Sequence, residues 1–306
     1  MAQQWIRKAT LVIGTGSQGI DLSELQFQFS IKAAVLGTPR RLQLRIYNLK
    51  KETAQKVTSY GSPVLLSAGY NGNFGTIFSG QIVQVRIGRE NATDTYLDIS
   101  AADADYVYNH SVINFSVSKG SGVVGRVGQI ANAAGIQLGT FAVPPIPGQL
   151  HRGRVYFGLL RHHMSALCGT IGADWTLNDG KLEVVAQDGY RAGQIPLITS
   201  ATGMVGVPEQ TPDGIQVKTL LNPFIAVNGL IELDNASIQQ YQFPLQLAST
   251  AKAALIPSLS RDGRYKVLFV EHIGDTRGQE WYSELVCYSK FSQGQLTYVP
   301  AKRTTY

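Results

Sequence analysis

The stretch YKVLFVEHIGDTRGQEWYSELVCYS, residues 265–289, reads as two strands joined by a turn, and it carries His272, Asp275, Arg277 and Glu280 at the junction. A strand over KVLFVEHI ends at His272 or Ile273, the glycine-containing GDTRGQ turns the chain, and a second strand starts at Trp281. Four polar groups so close together fit a catalytic cluster, a metal site or the polar tip of a structural hairpin. A single histidine at a strand end beside a Gly-rich turn most often anchors that turn by hydrogen bonding, with Asp275 and Arg277 holding the loop or an interface. The structural hairpin is therefore the preferred reading.

Strands of the same kind fill both ends of the chain. In LQFQFSIKAAV, residues 25–35, Leu25, Phe27, Phe29 and Ile31 alternate with Gln26, Gln28 and Ser30, as a half-buried strand requires. RLQLRIYNL, PVLLSAGY, GTIFSGQIVQVRI and DTYLDISAA continue the pattern, and Asn71-Gly72 has the chemistry of a tight hairpin turn. One short helix is expected in NLKKETAQKVTSYG, with Asn48 as its cap and Gly61 as its stop. Past residue 192, GIQVKTLL, GLIELDN, RYKVLFVEHIG and EWYSELVCYS are again strands, with turns at Asp213-Gly214, Asn228-Gly229 and Asp262-Gly263. QLASTAKAALIPSLS is open between a loop and a short helix, and GQLTYVPAKRTTY reads as a terminal tail.

The middle changes period. Val123, Val127, Ile130 and Ala134, and later Leu160, Met164, Leu167 and Ile171, recur at helical spacing, predicting two amphipathic helices. Between them Pro144, Pro145 and Pro147 exclude helix and predict an extended connector. DWTLNDGKLEVV is a hairpin turning at Asp179-Gly180, with Trp175 facing the helices. The fold class is accordingly mainly β with an α+β middle: two antiparallel β-barrel domains, 1–103 and 193–306, flank a helix-containing domain, 104–192. The first barrel is open to recruiting a strand from beyond the middle unit.

Composition narrows the functional classes. With 44% hydrophobic and 16% charged residues, the 306-residue chain has the material for ordered cores, and it has no apolar run long enough for a membrane span. The N-terminus lacks a secretory signal pattern, placing synthesis in the cytoplasm. A net charge of +6 would suit nucleic acid, but the longest basic runs are Arg40-Arg41 and Lys50-Lys51, and scattered charge reads as solubility.

Candidate chemistry is sparse. Gly14, Gly16 and Gly19 imitate a dinucleotide fingerprint, yet a strand follows where a phosphate-holding helix is needed. His162 and His163 diverge by about 100° on a helix and cannot share an ion; His162 should face solvent and His163 should bond at a domain seam. His151 lies in the Pro-rich connector. Cys168 and Cys287 sit in apolar settings and read as buried, reduced thiols. No catalytic, cofactor-binding or metal-ligating residue is assigned, and no cofactor is expected.

GYNGNFGTIFSGQI after the YNL…ET helix, the DW…DGKL middle, GVPEQTPDGIQVKTLLNP and VLFVEHIGDTRGQEWYSEL follow one another in an order that resembles phage tail baseplate hub proteins. These are related in design to the base module of type VI secretion spikes. The resemblance covers most of the chain and rests on turns and strands. It implies a homotrimeric ring that joins the tail tube or tube-initiator protein to a central spike protein, contacts other baseplate proteins, surrounds an axial channel through which DNA passes, and resides in the virion. It also implies that the His272 hairpin belongs to the second barrel. A tail-associated cell-wall hydrolase and a tail tube or tube-initiator protein are the alternatives.

Overall fold

Alternation of buried and exposed side chains turns the two β-rich ends into one sheet rather than two. In the computed structural model, which describes residues 6–14, 19–35, 37–57, 60–144, 149–211, 214–240 and 259–289, strands from both ends hydrogen-bond in a single 14-stranded sheet. The first end supplies β1 (Arg7–Ile13), β2 (Ile20–Asp21), β3 (Phe27–Ala34), β4 (Arg41–Tyr47), the helix α1 (Lys51–Val57), β5 (Pro63–Tyr70), β6 (Asn73–Arg89) and β7 (Thr95–Ala102). Phe27, Phe29 and Ile31 of β3 are all buried, as their spacing predicts.

The middle holds α2 (Asp105–His110), β8 (Val112–Val117), α3 (Val123–Ala133), β9 (Gln137–Ala142), β10 (Arg154–Leu159), α4 (Leu160–Ile171), β11 (Ala173–Asn178) and β12 (Lys181–Ala186). Here β8 and β10 form a two-stranded ribbon, while β11, β12 and β9 form a three-stranded sheet in which β9 runs parallel to β12. The last part supplies β13 (Leu197–Ile198), β14 (Glu209–Thr211), β15 (Gly214–Leu220), β16 (Leu230–Leu233), β17 (Gln239–Gln240), β18 (Arg264–Asp275) and β19 (Trp281–Ser289). The architecture is mainly β with an α+β middle.

The 265–289 hairpin is what makes the sheet continuous. β19 pairs along one edge of β18, from Tyr265 opposite Ser289 to Gly274 opposite Trp281. The other edge of β18 is shared: residues 264–266 pair with β16, and residues 269–275 pair with β3, from Phe269 opposite Ala34 to Asp275 opposite Gln28. Between the two partners the register shifts by one residue after Val267, and the Leu268 carbonyl accepts from Val35 N at 3.0 Å. A bulge of this kind bends a strand, which lets β18 serve two curved parts of the sheet. The recruited strand expected of the first barrel is thus β18.

Three apolar clusters follow the same division. The first gathers side chains of β1 and β3 to β7 together with Leu221 and Trp281 from the far end of the chain. The second packs Val127 and Ile130 of α3 and Leu160, Met164 and Leu167 of α4 against Tyr156, Trp175, Leu177 and Val184. The third joins Ala33 to Ile215, Val217, Ile231, Tyr265, Val267, Leu285 and Cys287. The hairpin therefore has its base in the third cluster and its tip in the first.

Several local expectations differ from what is observed. Asn48 does not cap α1: it sits at φ 52°, its side chain accepts from Thr95 N at 3.0 Å and donates to Asp94, and so it ties the β4 exit to β7. At Asn71-Gly72 only Gly72 has positive φ, whereas at Asp179-Gly180 both residues do, at 51° and 70°. The Pro-rich connector is flanked by strands β9 and β10, and residues 145–148 lie outside the described residues. Outside them too are residues 15–18, which include Gly16, residues 246–258 of the ambiguous stretch, Asp213, and residues 290–306, which include the terminal tail. Among the described residues no helix is long and apolar enough to cross a membrane.

Candidate functional site

The polar residues of the hairpin occupy three different environments. His272 points inward from β18 and is 4% exposed; its Nδ1 shares a hydrogen bond of 2.7 Å with Ser283 Oγ on the opposing β19, and a backbone hydrogen bond links the ring to Ile225. Burial, helped by the nearby charge of Arg40 and opposed by the Ile225 contact, lowers its pKa from 6.5 to about 4. At neutral pH it is an uncharged pin between β18, β19 and the 222–226 segment. Asp275 instead organises the turn: Oδ1 accepts from Arg277 N and Gly278 N at 2.8 Å each, and Oδ2 accepts from Gln28 Nε2 at 2.9 Å. Arg277 and Glu280 are exposed. The four groups do not converge on a common point, because His272 anchors the strand pair and Asp275 the turn.

The His272 geometry carries a pH prediction. Its folded pKa, about 4, lies below the unfolded value near 6.5, so this residue's contribution to stability is complete above about pH 6.5 and is lost as pH falls toward 4. Full protonation costs about 3 kcal/mol. His272→Gln keeps a donor and an acceptor without a titrating group. Urea midpoints between pH 7 and pH 4 should therefore fall more steeply for the parent than for the variant; parallel curves would show that the buried imidazole is not the cause.

The tip is fastened to the first sheet by side chains about 270 positions away. Arg7 donates from its two terminal nitrogens to Gly278 O at 2.7 Å and Gln279 O at 2.9 Å, and its guanidinium lies 5.7 Å from the Trp281 ring centre. Trp281 is buried edge-on to Phe29, with centroids 5.5 Å apart, and its Nε1 donates to Gly69 O at 3.3 Å. Thr276 and Phe27 exchange main-chain and side-chain bonds beside it.

Two clasps hold the middle unit between the β-rich parts. Arg40, before β4, reaches Asp103 at 3.0 Å and also Asp179 in the β11–β12 turn, while the Asp103 carboxylate accepts from Asp179 N at 2.6 Å and Gly180 N at 2.9 Å. Burial pushes the Asp103 carboxyl up from its usual range, and Arg40 and the Gly180 N–H oppose that shift. On the other side Lys266, buried in β18, donates to Ala186 O at 3.2 Å and Gln187 O at 3.1 Å at the end of β12. Burial lowers its pKa, against the pull of Asp174 and Asp188. The three parts meet around a cavity of about 270 Å³ lined in part by Arg40, Glu183, Arg191, Phe224 and His272.

The remaining sequence candidates are dispersed. His162 is exposed; His163 Nε2 meets Phe157 O at 3.0 Å inside the middle unit, so it bonds within that unit and not at a seam. His151 is exposed. Cys168 lies in the second cluster, its thiol pushed up to about 12 by burial and then by Asp174, and Cys287 lies in the third, its thiol raised by burial alone. Both are free. Gly14 and Gly19 flank a hairpin in which Ile13 pairs with Ile20. No group of three or more His, Cys, Asp or Glu side chains able to hold a metal occurs among the described residues.

No protein-family profile and no curated protein sequence matches this chain. Solved structures do. A 43-kDa tail protein of prophage MuSo2 from Shewanella oneidensis superposes with a TM-score of 0.59 at 8% identity, over 92% of this chain and 97% of its own. A tail protein from Neisseria meningitidis MC58 gives 0.61 at 10% identity, over 92% and 96%. An Escherichia coli type VI secretion component, described as structurally similar to the T4 bacteriophage tail proteins gp27 and gp5, gives 0.57 at 11% identity, over 90% and 77%. The chain has the fold of these proteins across nearly its whole length.

Proposed function

We propose that this chain is a structural virion protein of a tail baseplate: a hub that assembles as a homotrimeric ring, joins the tail tube or tube-initiator protein to a central spike, and surrounds the axial channel. The observation that carries the reading is the near-complete overlap of its fold with two tail proteins, one of them from a prophage, over 92% of this chain and nearly all of theirs. The type VI relative, with its stated likeness to gp27 and gp5, supports a position next to a spike. In this reading residues 1–103 and 193–306 supply two tube-like modules, 104–192 forms the unit between them, and the protein works by contact, without catalysis of its own. Other baseplate proteins cover its outer side, and DNA passes through the ring.

Physical features support a chain built to be surrounded. Beyond Gln81, β6 keeps β7 on one side and has no ladder on the other among the described residues, so 83–89 is an open edge. Val83 and Ile87 on that edge, and Tyr60 beside it, are exposed. Open apolar edges invite pairing, and a closed ring is a way to bury them. We assign this edge to a neighbouring subunit, within a contact on the order of 2,000 Å².

Sedimentation of the purified 33.2-kDa chain tests the assembly. A particle of about 100 kDa, three copies, is the expected result. A hexamer or fibre would replace the hub with a tube protein, and a stable monomer at micromolar concentration would remove the ring.

A further inference from the structure

The span from Tyr106 to Ala173 contains no aspartate or glutamate, yet it holds Lys119, Arg126, Arg152, Arg154 and Arg161 as well as His110, His151, His162 and His163. Nearly all of the chain's net charge of +6 therefore lies in 68 consecutive residues. Linear clustering hides this, because the cations are spaced 2 to 26 positions apart. The β8–β10 ribbon brings several of them together.

The ribbon has one covered and one bare face. Ile113, Val117 and Tyr156 point into the second core, while Val112, Asn114, Ser116, Val155 and Phe157 point outward. Pairing sets Phe157 opposite Asn114, and Val155 opposite Ser116, on that outer face. Phe157 is 71% exposed, Val155 68% and Val112 59%. Contiguous exposure of large apolar groups on a paired ribbon is the mark of a contact surface. Basic side chains stand at both ends of it: exposed Lys119, Arg152 and Arg154 at the Val117 end, and Arg161 at the Val112 end, beside exposed His110 and His162. Arg154 shares the Tyr156 side of β10, 5.2 Å over that ring, and Arg161 lies 5.4 Å over Tyr108 while donating to Asn109 at 3.0 Å, which itself donates to Asp105, so Lys119 and Arg152 carry most of the charge beside the bare face. None of these cations is in an ion pair with a described carboxylate.

We propose that the outer face of the β8–β10 ribbon docks a different protein, through an acidic surface that also presents apolar side chains to Val112, Val155 and Phe157. Charge complementarity selects the acidic partner. A second copy of this chain fits poorly, since its own acid-rich run, Glu90 to Asp105, is already engaged: Asp98 with Arg45, Asp103 with Arg40, Asp94 with Asn48 and Asn91, and Asp105 with Asn109. Nucleic acid fits poorly as well, because single strands stack successive bases on successive rings and this strip exposes one ring between two valines. The inference does not depend on whether the chain forms a ring.

A fluorescent peptide of alternating glutamate and valine, a labelled single-stranded oligonucleotide and vesicles containing an anionic phospholipid serve as probes, each with the full chain. The peptide should bind, and its affinity should fall about tenfold or more in Phe157→Ser, in the double variant Lys119→Glu/Arg152→Glu, and on raising salt from about 50 to 300 mM. Phe157 is largely solvent-exposed, so its variant should keep the parent's melting temperature and sedimentation mass. Peptide affinity unchanged in both variants, no peptide binding, or tighter binding of oligonucleotide or vesicles lost in the same variants would each overturn the assignment.

Discussion

Trp281→Ala is expected to cost about 3–5 kcal/mol of stability, the range for deleting a large aromatic from a core. The indole is 1% exposed and belongs to the first apolar cluster, although it sits more than 170 positions beyond that cluster's last strand. Its loss removes the edge-on contact with Phe29, the bond to Gly69 O and the ring beneath Arg7 together. The effect should spread unevenly. Hydrogen exchange at 269–275 of β18 and 28–34 of β3 should accelerate more than at 215–217 of β15, which pair with 285–287 toward the base of the hairpin. Uniform acceleration across both parts, or a loss below 1 kcal/mol, would mean that the tip is not what joins them.

Asp103→Ala should be of similar size, about 3–5 kcal/mol, through a different mechanism. Asp103 is 1% exposed and its carboxylate is the shared acceptor for Arg40, Asp179 N and Gly180 N. Removing one partner of a buried charged network leaves the others desolvated and unpaired, which costs more than the pair contributes. Since those partners belong to the first sheet and to the β11–β12 turn, the middle unit should loosen as a body. Limited proteolysis should release a fragment containing 104–192 from the variant at denaturant concentrations where the parent is intact. Asp103→Asn, which keeps two acceptor lone pairs but no charge, should recover part of the loss.

Much of the local architecture is written in short-range pattern. Alternation in 27–34 marks β3, helical spacing marks α3 and α4, and Asp179-Gly180 supplies the positive φ values of its turn because both residue types tolerate the left-handed region. Competition explains the local misses. Asn48 has the chemistry of a cap, but Thr95 N and Asp94 offer partners from β7, and tertiary pairing wins over the helix end. α2, six residues that enter from Ala104 at φ 50°, is too short for periodicity to reveal.

Long-range pairing is what the pattern cannot carry. β18 alternates equally well whether its edge meets β16 or β3, so nothing local announces that it serves both. Arg40, Asp103 and Asp179 form one clasp from three distant points, and no spacing rule links them. The ribbon surface was within reach, since counting acids over a window exposes the void between Asp105 and Asp174, whereas looking for runs of adjacent basic residues does not. His272 illustrates the opposite limit. Its type and neighbours permit a catalytic role, and only burial and the Ser283 and Ile225 contacts distinguish a structural pin.

Electron-microscopic averaging of the purified protein tests the central claim most directly. A threefold ring with an axial opening, its subunit contacts running along the free edge at Val83–Arg89, is the result the proposal predicts. Isolated single-chain particles with that edge bare, at a concentration well above micromolar, would contradict it.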